Sequence, residues 1–238
     1  MTETNLGALT VVLVHAAWAD ASSWNKVIRP LQREGMQVVA VQIPLTSLSD
    51  DASTVRRTLK RVSGPVVLVG HSYGGAVVTA AGGGNLNVKA LVYIAAMAPD
   101  DGETVGQLLH RGAPHPSAPA LVPDEDGFLW MSAKGFADAA AHESSAEDVA
   151  LMAATQRPIS INCVQEPMTK PAWKEKPSCF LVAEQDRMIA PETQRFMAHR
   201  AGSRILAMEL DHTPLASAPD RVVAIITEAV DVASGSRS

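Results

Sequence analysis

The sequence predicts one α/β domain with a doubly wound, mainly parallel sheet of about six strands. Short runs of apolar, β-branched residues alternate with longer segments whose apolar residues recur at helical spacing, which is the pattern of a parallel sheet covered by helices. One of these runs enters a glycine-flanked turn that carries a serine and leads into a helix of small residues. The 238 residues suffice for one such domain and do not require two.

The first two strands are predicted for residues 9–14 and 37–43, which are apolar runs typical of strands buried on both faces. The helices that follow them are predicted for residues 24–35 and 50–62, because apolar residues recur there every three or four positions. Serine side chains are expected to cap these helices at their amino ends, at positions 22, 23 and 49.

The third strand, residues 66–69, leads into the serine turn and then into a helix that ends at the glycines of residues 82–84. A fourth strand is predicted for residues 88–95. The alternation returns near the end of the chain, where the predicted elements are strand 178–183, helix 191–200, strand 204–210 and helix 219–232. The small and polar residues from 233 to 238 are expected to be disordered.

The alternation stops between the fourth strand and the fifth. This stretch is rich in proline and contains short amphipathic helices such as residues 146–155, and no apolar run repeats the strand pattern. Residues 98–176 are therefore predicted to form an inserted helical lid on a core made of residues 1–97 and 177–238.

The turn from Gly70 to Gly74 has the spacing of a nucleophile elbow, in which a serine stands at a sharp turn between a strand and a helix. The two glycines leave room for the turn, so that the hydroxyl of Ser72 stands clear of the sheet. The alternative is a glycine-rich turn with an incidental serine. A phosphate-binding loop is disfavoured because no Lys-Ser or Lys-Thr pair ends the motif.

A serine nucleophile needs a base and an acid that orients the base, and in this fold class the chain order is serine, acid, histidine. His212 directly follows the last predicted strand and is favoured as the base over His199, which falls inside a predicted helix. Asp186 follows the fifth strand and is favoured as the acid, because chemistry gathers at the carboxyl ends of parallel strands. Asp100, after the fourth strand, is the alternative acid.

Two backbone N–H groups are expected to form an oxyanion hole beside Ser72. One belongs to Tyr73, which follows the nucleophile. The other is assigned to Ala17 in the loop after the first strand. His15 in that loop is expected to have a structural role.

Composition excludes several classes of partner. The formal charge is −5 with lysine and arginine scattered along the chain, so neither nucleic acid nor an anionic membrane is an expected partner. No signal peptide or membrane span is recognisable. Cys163 and Cys179 have no metal-ligand or disulfide spacing and suit a reducing, cytoplasmic location, as residues of the core or the lid. No metal and no cofactor are expected, and the composition is compatible with a homodimer.

Four stretches of the chain resemble the α/β-hydrolase superfamily, and more narrowly its small bacterial esterase-like members related to the plant methylesterase and hydroxynitrile lyase group. They are residues 12–24, 69–75, 90–100 and 171–174. The resemblance implies an α/β-hydrolase fold with an inserted helical lid. It also implies the same site residues as the argument above, namely a triad of Ser72, Asp186 and His212 and an oxyanion hole of Ala17 and Tyr73.

Two positions depart from the family pattern. Ala16 stands where the family usually has the glycine of a His-Gly pair, so that a methyl group is expected to tighten the loop beside the oxyanion hole. Asp211 stands where the family usually has serine before the catalytic histidine. This carboxylate is expected either to raise the pKa of His212 or to compete with Asp186 for its ring.

The function predicted from these residues is hydrolysis of a small to medium, largely apolar carboxylic ester or lactone through an acyl-enzyme on Ser72. One alternative is a cofactor-free carbon–carbon lyase, similar to hydroxynitrile lyases, with His212 as its base. Another is a ligand-binding homologue without activity. The substrate is expected to be a small molecule held by apolar side chains of the lid and of the first loop, drawn from Trp18, Leu108, Leu109, Phe128, Leu129, Trp130, Met131, Phe136 and Met152.

Overall fold

The computed structural model describes residues 9–235. Eight strands are present in this part of the chain: β1 Thr10–Val14, β2 Gln37–Val41, β3 Val66–His71, β4 Val88–Ile94, β5 Phe128–Leu129, β6 Ile159–Ser160, β7 Ser178–Ala183 and β8 Arg204–Met208. Six of them form one sheet in the order β2-β1-β3-β4-β7-β8. Every neighbouring pair in that sheet is parallel. The predicted doubly wound α/β fold is confirmed.

Helices cover both faces of the main sheet. The helices of residues 9–235 are α1 Asn25–Arg33, α2 Leu48–Leu59, α3 Tyr73–Gly82, α4 Val105–Leu109, α5 Ala133–Gly135, α6 Ala146–Thr155, α7 Asn162–Gln165, α8 Pro191–Arg200, α9 Pro214–Ser217 and α10 Pro219–Ser234. Those of the insertion, α4 to α7, lie between β4 and β7 in the chain. One π-helical turn, Phe136–Ala140, follows α5, and short 3-10 turns stand at Ala21–Trp24 and Ala172–Lys174.

The two faces of the sheet carry separate hydrophobic cores, because successive side chains of a strand point to opposite faces. Val11 and Leu13 of β1 belong to the cluster that also contains side chains of α1 and α10. Val12 and Val14 belong to the other cluster, with side chains of α2, α3 and α8. All four residues are fully buried. The central strands are therefore held by apolar contacts on both sides, as their continuous apolar sequences require.

Helix starts differ from prediction by one or two residues. Ser47 caps α2 by accepting a hydrogen bond from the Asp50 N–H, so the predicted cap at Ser49 is wrong. The chain enters α1 through a 3-10 turn that Asp20 caps by accepting from the Ser22 N–H at 2.7 Å, instead of the predicted serine pair. Aspartate and serine are both good caps, and which of several neighbours is used depends on the preceding loop.

The insertion, residues 98–176 between β4 and β7, adds no strand to the main sheet. Its helix α6, Ala146–Thr155, has the predicted bounds. The antiparallel pair of β5 and β6 was not predicted, because strands of two residues leave no periodic signal. The division of the chain into a core and a lid stays a prediction.

The end of the chain is more helical than predicted. Helix α10 continues through Ser234 and is capped by Gly235 at a φ of 73°. Residues 233 and 234 are therefore helical and not disordered, whereas 236–238 lie outside the described residues. Within residues 9–235, no helix has the length and apolar character that crossing a bilayer requires.

Both cysteines are free and buried, as the sequence predicts. Cys179 lies in β7, and Cys163 lies in α7 of the insertion. Burial raises the pKa of both thiols, that of Cys163 to about 12.

Candidate active site

Ser72 stands at a strained turn between β3 and α3. Its φ of 52° and ψ of −122° lie outside the regions that a non-glycine residue usually adopts. The backbone is fixed there on both sides: the Ser72 N–H donates to the Ile94 carbonyl at 3.1 Å, and the Ser72 carbonyl accepts from the N–H groups of Gly75 and Met97, each at 3.0 Å. The surrounding strands therefore impose the turn.

Close packing explains the glycines of this turn. A Cβ atom on Gly70 would lie 2.5 Å from the Gly74 carbonyl oxygen, and one on Gly74 would lie 2.5 Å from that of Val14. A Cβ atom on Gly75 would meet the Met97 carbonyl oxygen at 2.5 Å. The predicted need for glycine at positions 70 and 74 follows from close approach of the backbone to β1 and α3, and position 75 shares it.

The fold brings the three candidate catalytic residues together. His212 Nε2 lies 2.8 Å from Ser72 Oγ, and His212 Nδ1 lies 2.7 Å from Asp186 Oδ2. They occupy the loops that leave the carboxyl ends of β3, β7 and β8, which meet at one edge of the parallel sheet. All three are buried, with exposed fractions of 7%, 4% and 5% for Ser72, Asp186 and His212.

The carboxylate of Asp186 is surrounded by donors. Its Oδ1 accepts from the N–H groups of Met188 at 2.7 Å and Ile189 at 2.9 Å. Its Oδ2 accepts from Gln194 Nε2 at 2.7 Å in addition to the histidine. Both oxygens are thus acceptors only, which fixes a proton on Nδ1 of His212 and leaves Nε2 to accept from the serine.

Gln194 was missed by the sequence analysis, although it is fully buried in the first turns of α8. Its Oε1 accepts from the Ala183 N–H at 3.0 Å, so it joins the end of β7 to the Asp186 loop. The only signal is its place in the helix, three positions after the proline that begins it, and that signal does not distinguish a buried glutamine from a solvated one.

The two candidate oxyanion donors lie at the same edge of the sheet. Tyr73 is the first residue of α3, so its N–H precedes the hydrogen-bond ladder of the helix. Ala17 lies in the turn after β1 and lines the cavity described below. Trp18, the next residue, has a φ of 55° and turns the loop sharply. The assignment of their N–H groups to an oxyanion hole stays a prediction.

Two other histidines of the region are structural. His15 donates from Nδ1 to the Ala16 carbonyl at 2.8 Å and accepts from the Ile43 N–H at 3.2 Å, as expected of a residue that closes a strand. His71 donates from Nε2 to the carbonyl of His212 at 2.7 Å. Burial lowers the pKa of His15 to about 4 and that of His71 to about 3, so both are neutral at pH 7.

Asp51 is a buried carboxyl that the sequence analysis did not single out. It accepts from the hydroxyl of Tyr73 and from the Leu45 N–H, each at 2.7 Å, and from Sγ of Cys163 at 3.7 Å. Burial raises its pKa to about 6. The signal was its spacing: Asp51 precedes Val55 by four positions and therefore lies on the apolar face of α2.

Acid should destabilise the protein through its buried histidines. Because the folded-state pKa values of His15 and His71 lie below the unfolded value of about 6.5, the unfolded chain gains protons that the folded chain cannot bind. Their stabilising effect is complete above pH 6.5 and is lost as the pH falls. Asp51 acts in the opposite direction. Because its pKa is raised in the folded state, the folded chain binds a proton there more readily than the unfolded chain, which stabilises the fold as the pH falls. The free energy of unfolding should fall by about 2 to 3 kcal/mol from pH 7 to pH 5, as measured by urea denaturation.

The variant His71→Gln provides the control for this pH dependence. Glutamine retains a donor toward the His212 carbonyl but does not titrate. We expect the variant to lose roughly half of the histidine contribution between pH 7 and pH 5. An unchanged pH dependence in His71→Gln would contradict the assignment.

A cavity of about 340 Å³ opens beside the candidate triad. His212 and Ala17 form part of its wall. Its larger apolar side chains come from the first loop, the insertion and the loops after β7 and β8: Trp18, Phe136, Leu151, Met152, Met188 and Leu215. Lys26 of α1 and Asp148 of α6 form an ion pair of 2.9 Å at its polar, partly exposed side.

The predicted pocket residues fall into two groups. Trp18 lies in the cavity wall, with its Nε1 donating to the Leu129 carbonyl at 2.9 Å, and so do Phe136 and Met152. Among the residues that the structure describes, the wall does not include Leu108, Leu109, Phe128, Leu129, Trp130 or Met131. Trp130 is 52% exposed and donates to Asp124, whereas Met131 is buried against Phe136.

Asp211 does not engage the histidine ring. Its carboxylate accepts from the Glu143 N–H at 3.1 Å, the Ser217 hydroxyl at 2.8 Å and the Thr213 N–H at 3.2 Å. The ring nitrogen Nδ1 of His212 is held by Asp186 instead. The expected competition between the two carboxylates is therefore absent.

No group of three or more histidine, cysteine, aspartate or glutamate side chains in residues 9–235 has a geometry suited to a metal ion.

A parallel sheet with a strained serine elbow and a serine–histidine–aspartate chain at its carboxyl edge defines a class of protein. The chain belongs to the alpha/beta hydrolase family, whose sequence model matches residues 11–225. The predicted resemblance to this superfamily is confirmed.

Similar proteins include "Alpha/beta hydrolase nvfD" of Aspergillus novofumigatus, which is 27% identical over 92% of this chain and 95% of its own length. "Methylesterase 8" of Arabidopsis thaliana is 26% identical over 87% of this chain and 84% of its own. Among solved structures, a pyrethroid hydrolase from Sphingobium faniae JZ-2 superimposes with a TM-score of 0.83 at 20% identity, covering 94% of this chain and 98% of that one.

Proposed function

We propose that this protein is a carboxylic ester hydrolase that acts through an acyl-enzyme on Ser72. The observation that carries the proposal is the continuous chain from Ser72 Oγ to His212, at 2.8 Å, and from His212 to Asp186, at 2.7 Å, beside an apolar cavity. Similarity to proteins named as a methylesterase and a pyrethroid hydrolase supports the same reaction class.

In the acylation step, His212 Nε2 takes the proton of the Ser72 hydroxyl as Oγ bonds to the ester carbonyl carbon. The negative charge that forms on the carbonyl oxygen is stabilised by the N–H groups of Ala17 and Tyr73. The carboxylate of Asp186 stabilises the imidazolium formed at the same time. When the carbon–oxygen bond to the alcohol breaks, His212 returns its proton to the alcohol.

In the deacylation step, water replaces the alcohol. His212 takes one proton from the water as the oxygen bonds to the acyl carbon, and the same N–H groups stabilise the second oxyanion. Cleavage of the bond to Ser72 Oγ returns the proton to the serine and releases the carboxylic acid. The cycle consumes one ester and one water and leaves the protein unchanged.

The substrate proposed for this site is small to medium in size and largely apolar. A cavity of about 340 Å³ lies near the lower end of the range for small-molecule sites. Met152 and Met188 are flexible and polarisable, so the wall adapts to apolar groups of different shape. The cation of Lys26 is paired with Asp148 and donates to the Ala216 carbonyl, so it does not select for an anionic substrate.

A lyase of the hydroxynitrile type is less well supported. Departing cyanide develops negative charge, which a cationic group near the catalytic base would stabilise. Thr213 follows His212, and its hydroxyl donates to the Ala140 carbonyl at 3.0 Å. Ala16 follows His15 and has no side chain that could bind a cyanohydrin hydroxyl.

Two substrates distinguish these functions. We expect the purified protein to hydrolyse p-nitrophenyl acetate and to cleave mandelonitrile no faster than buffer alone. Nitrophenolate release followed by absorbance and benzaldehyde release followed in parallel give the two rates. Cleavage of mandelonitrile that His212→Ala abolishes, without hydrolysis of any short-chain ester, would establish the lyase instead. Inactivity toward both substrates would favour a ligand-binding role.

A further inference from the structure

The two neighbours of His212 in the chain both bind the insertion. The hydroxyl of Thr213 donates to the Ala140 carbonyl at 3.0 Å, and Oδ2 of Asp211 accepts from the Glu143 N–H at 3.1 Å. Asp211 is fully buried, so its carboxylate needs the hydrogen bonds that it accepts from Glu143, Thr213 and Ser217. The loop that carries the base is therefore fastened to the insertion on both sides of the base.

The neighbour of the acid makes a third contact of the same kind. Arg187, which follows Asp186, donates from its guanidinium to the Asp138 carbonyl at 2.8 Å. Asp138 and Ala140 belong to the π-helical turn Phe136–Ala140, where the last carbonyls of a helix need partners from outside it. Side chains next to the catalytic acid and base supply those partners.

The same stretch of the insertion is also a wall of the substrate cavity. Phe136 and Ala140 line the cavity, and Met131 packs behind them, 2% exposed. A ligand that presses on this wall therefore presses on the residues to which the His212 loop is hydrogen-bonded.

We propose that Arg187, Asp211 and Thr213 form a clamp that couples the Phe136–Ala140 wall to the placement of the catalytic acid and base. They are positioning residues, because they bind the insertion and not the reacting atoms. Thr213 also lines the cavity, so Asp211→Asn is needed to separate loss of a clamp hydrogen bond from a change in the cavity wall. The clamp holds the wall against displacement, which limits substrate size, and holds His212 in line with Ser72. This inference rests on the ester hydrolase function proposed above and deepens it.

The test compares Thr213→Val, which removes the hydroxyl at nearly constant volume, with Thr213→Ser, which keeps it. We expect Thr213→Val to lower kcat for p-nitrophenyl acetate about tenfold or more, because small misplacement of a catalytic group is costly. The ratio of kcat/KM for the octanoate ester to that for the acetate should rise about fivefold, the worth of one hydrogen bond. Thr213→Ser, which keeps the hydroxyl, should have the kcat and the ester ratio of the wild type.

Asp211→Asn gives a second line of evidence if Thr213→Val folds poorly. Asparagine retains one oxygen for Ser217 and Thr213, but its amide nitrogen cannot accept from the Glu143 N–H. The same direction of change in kcat and in the chain-length ratio is expected. Thr227→Val is the matched control, since the Thr227 hydroxyl donates to Glu34 at 3.0 Å between α10 and α1, away from the site.

Hydrogen exchange supplies a readout that does not depend on ester hydrolysis. Thr213→Val should speed exchange in two peptides together, one covering residues 136–144 and one covering 209–217, and Thr227→Val should speed it in neither. Faster exchange in only one of them overturns the coupling. A chain-length ratio equal to that of the wild type overturns it as well, even if kcat falls. A wild-type protein without activity on any ester refutes the proposed function. In that case the exchange result still tests whether Thr213 couples the insertion to the His212 loop.

Discussion

Replacement of Ser72 by alanine is expected to lower the rate of ester hydrolysis by about a thousandfold or more while leaving the fold unchanged. The variant lacks the oxygen that would form the acyl-enzyme, so His212 has no hydroxyl from which to take a proton. The lost atom is small, and the backbone bonds that impose the turn do not involve it. Stopped-flow release of nitrophenolate measures the rate, and circular dichroism checks the fold.

Ser203→Ala is the matched control for this experiment. Ser203 bonds to Ser178 at the opposite edge of the sheet, where β7 and β8 begin, so its loss should leave turnover within about twofold of the wild type. A burst of nitrophenolate from Ser72→Ala equal to one product per protein would show that another nucleophile accepts the acyl group. The proposed mechanism would then be wrong.

Asp186→Asn should cost about a thousandfold to ten-thousandfold in kcat. Both carboxylate oxygens accept hydrogen bonds, Oδ1 from two backbone N–H groups and Oδ2 from Gln194 and His212. An asparagine amide nitrogen in either place faces two donors. If the nitrogen faces His212, the ring moves its proton to Nε2 and can no longer accept one from Ser72.

Asp100→Asn tests the alternative acid. Asp100 forms an ion pair with Lys174 and accepts from the Asp101 N–H at 2.7 Å, so it has a surface role in the structure. We expect its amide variant to keep activity within about twofold of the wild type. Equal losses from both variants, or a larger loss from Asp100→Asn, would place the acid on the fourth strand.

The sequence was most informative where function depends on neighbours in the chain. The glycines around Ser72 and the position of His212 directly after β8 are local signals, and the parallel order of strands then brings those loops to one edge. The orientation of a side chain is not local. Competition from Asp211 for the histidine ring was one expectation drawn from its place beside His212, yet its carboxylate accepts from the N–H of Glu143 in the insertion, 68 residues away.

Buried polar residues were hardest to predict. Asp51 and Gln194 lie on helices where a polar residue is usually solvated, and the partners that satisfy each of them in the interior come from other elements of the fold. The cavity wall was equally hard to predict. Leu151, Met188 and Leu215 line it because the insertion and the β7 and β8 loops meet there, which no single stretch of sequence reveals.

The two buried thiols lie in different parts of the molecule, Cys163 in the insertion and Cys179 in the main sheet, so the reactivity of each reports on the opening of its own part. A thiol reagent reacts with the thiolate and has to reach it. Burial raises the pKa of Cys163 and Cys179, which disfavours their thiolates, and it also keeps the reagent away from them. The rate of alkylation of Cys163 therefore measures the opening of the insertion, and the rate of alkylation of Cys179 measures the opening of the main sheet. The rates of alkylation at the two cysteines of the wild-type chain thus distinguish local opening of the insertion from loss of the main sheet.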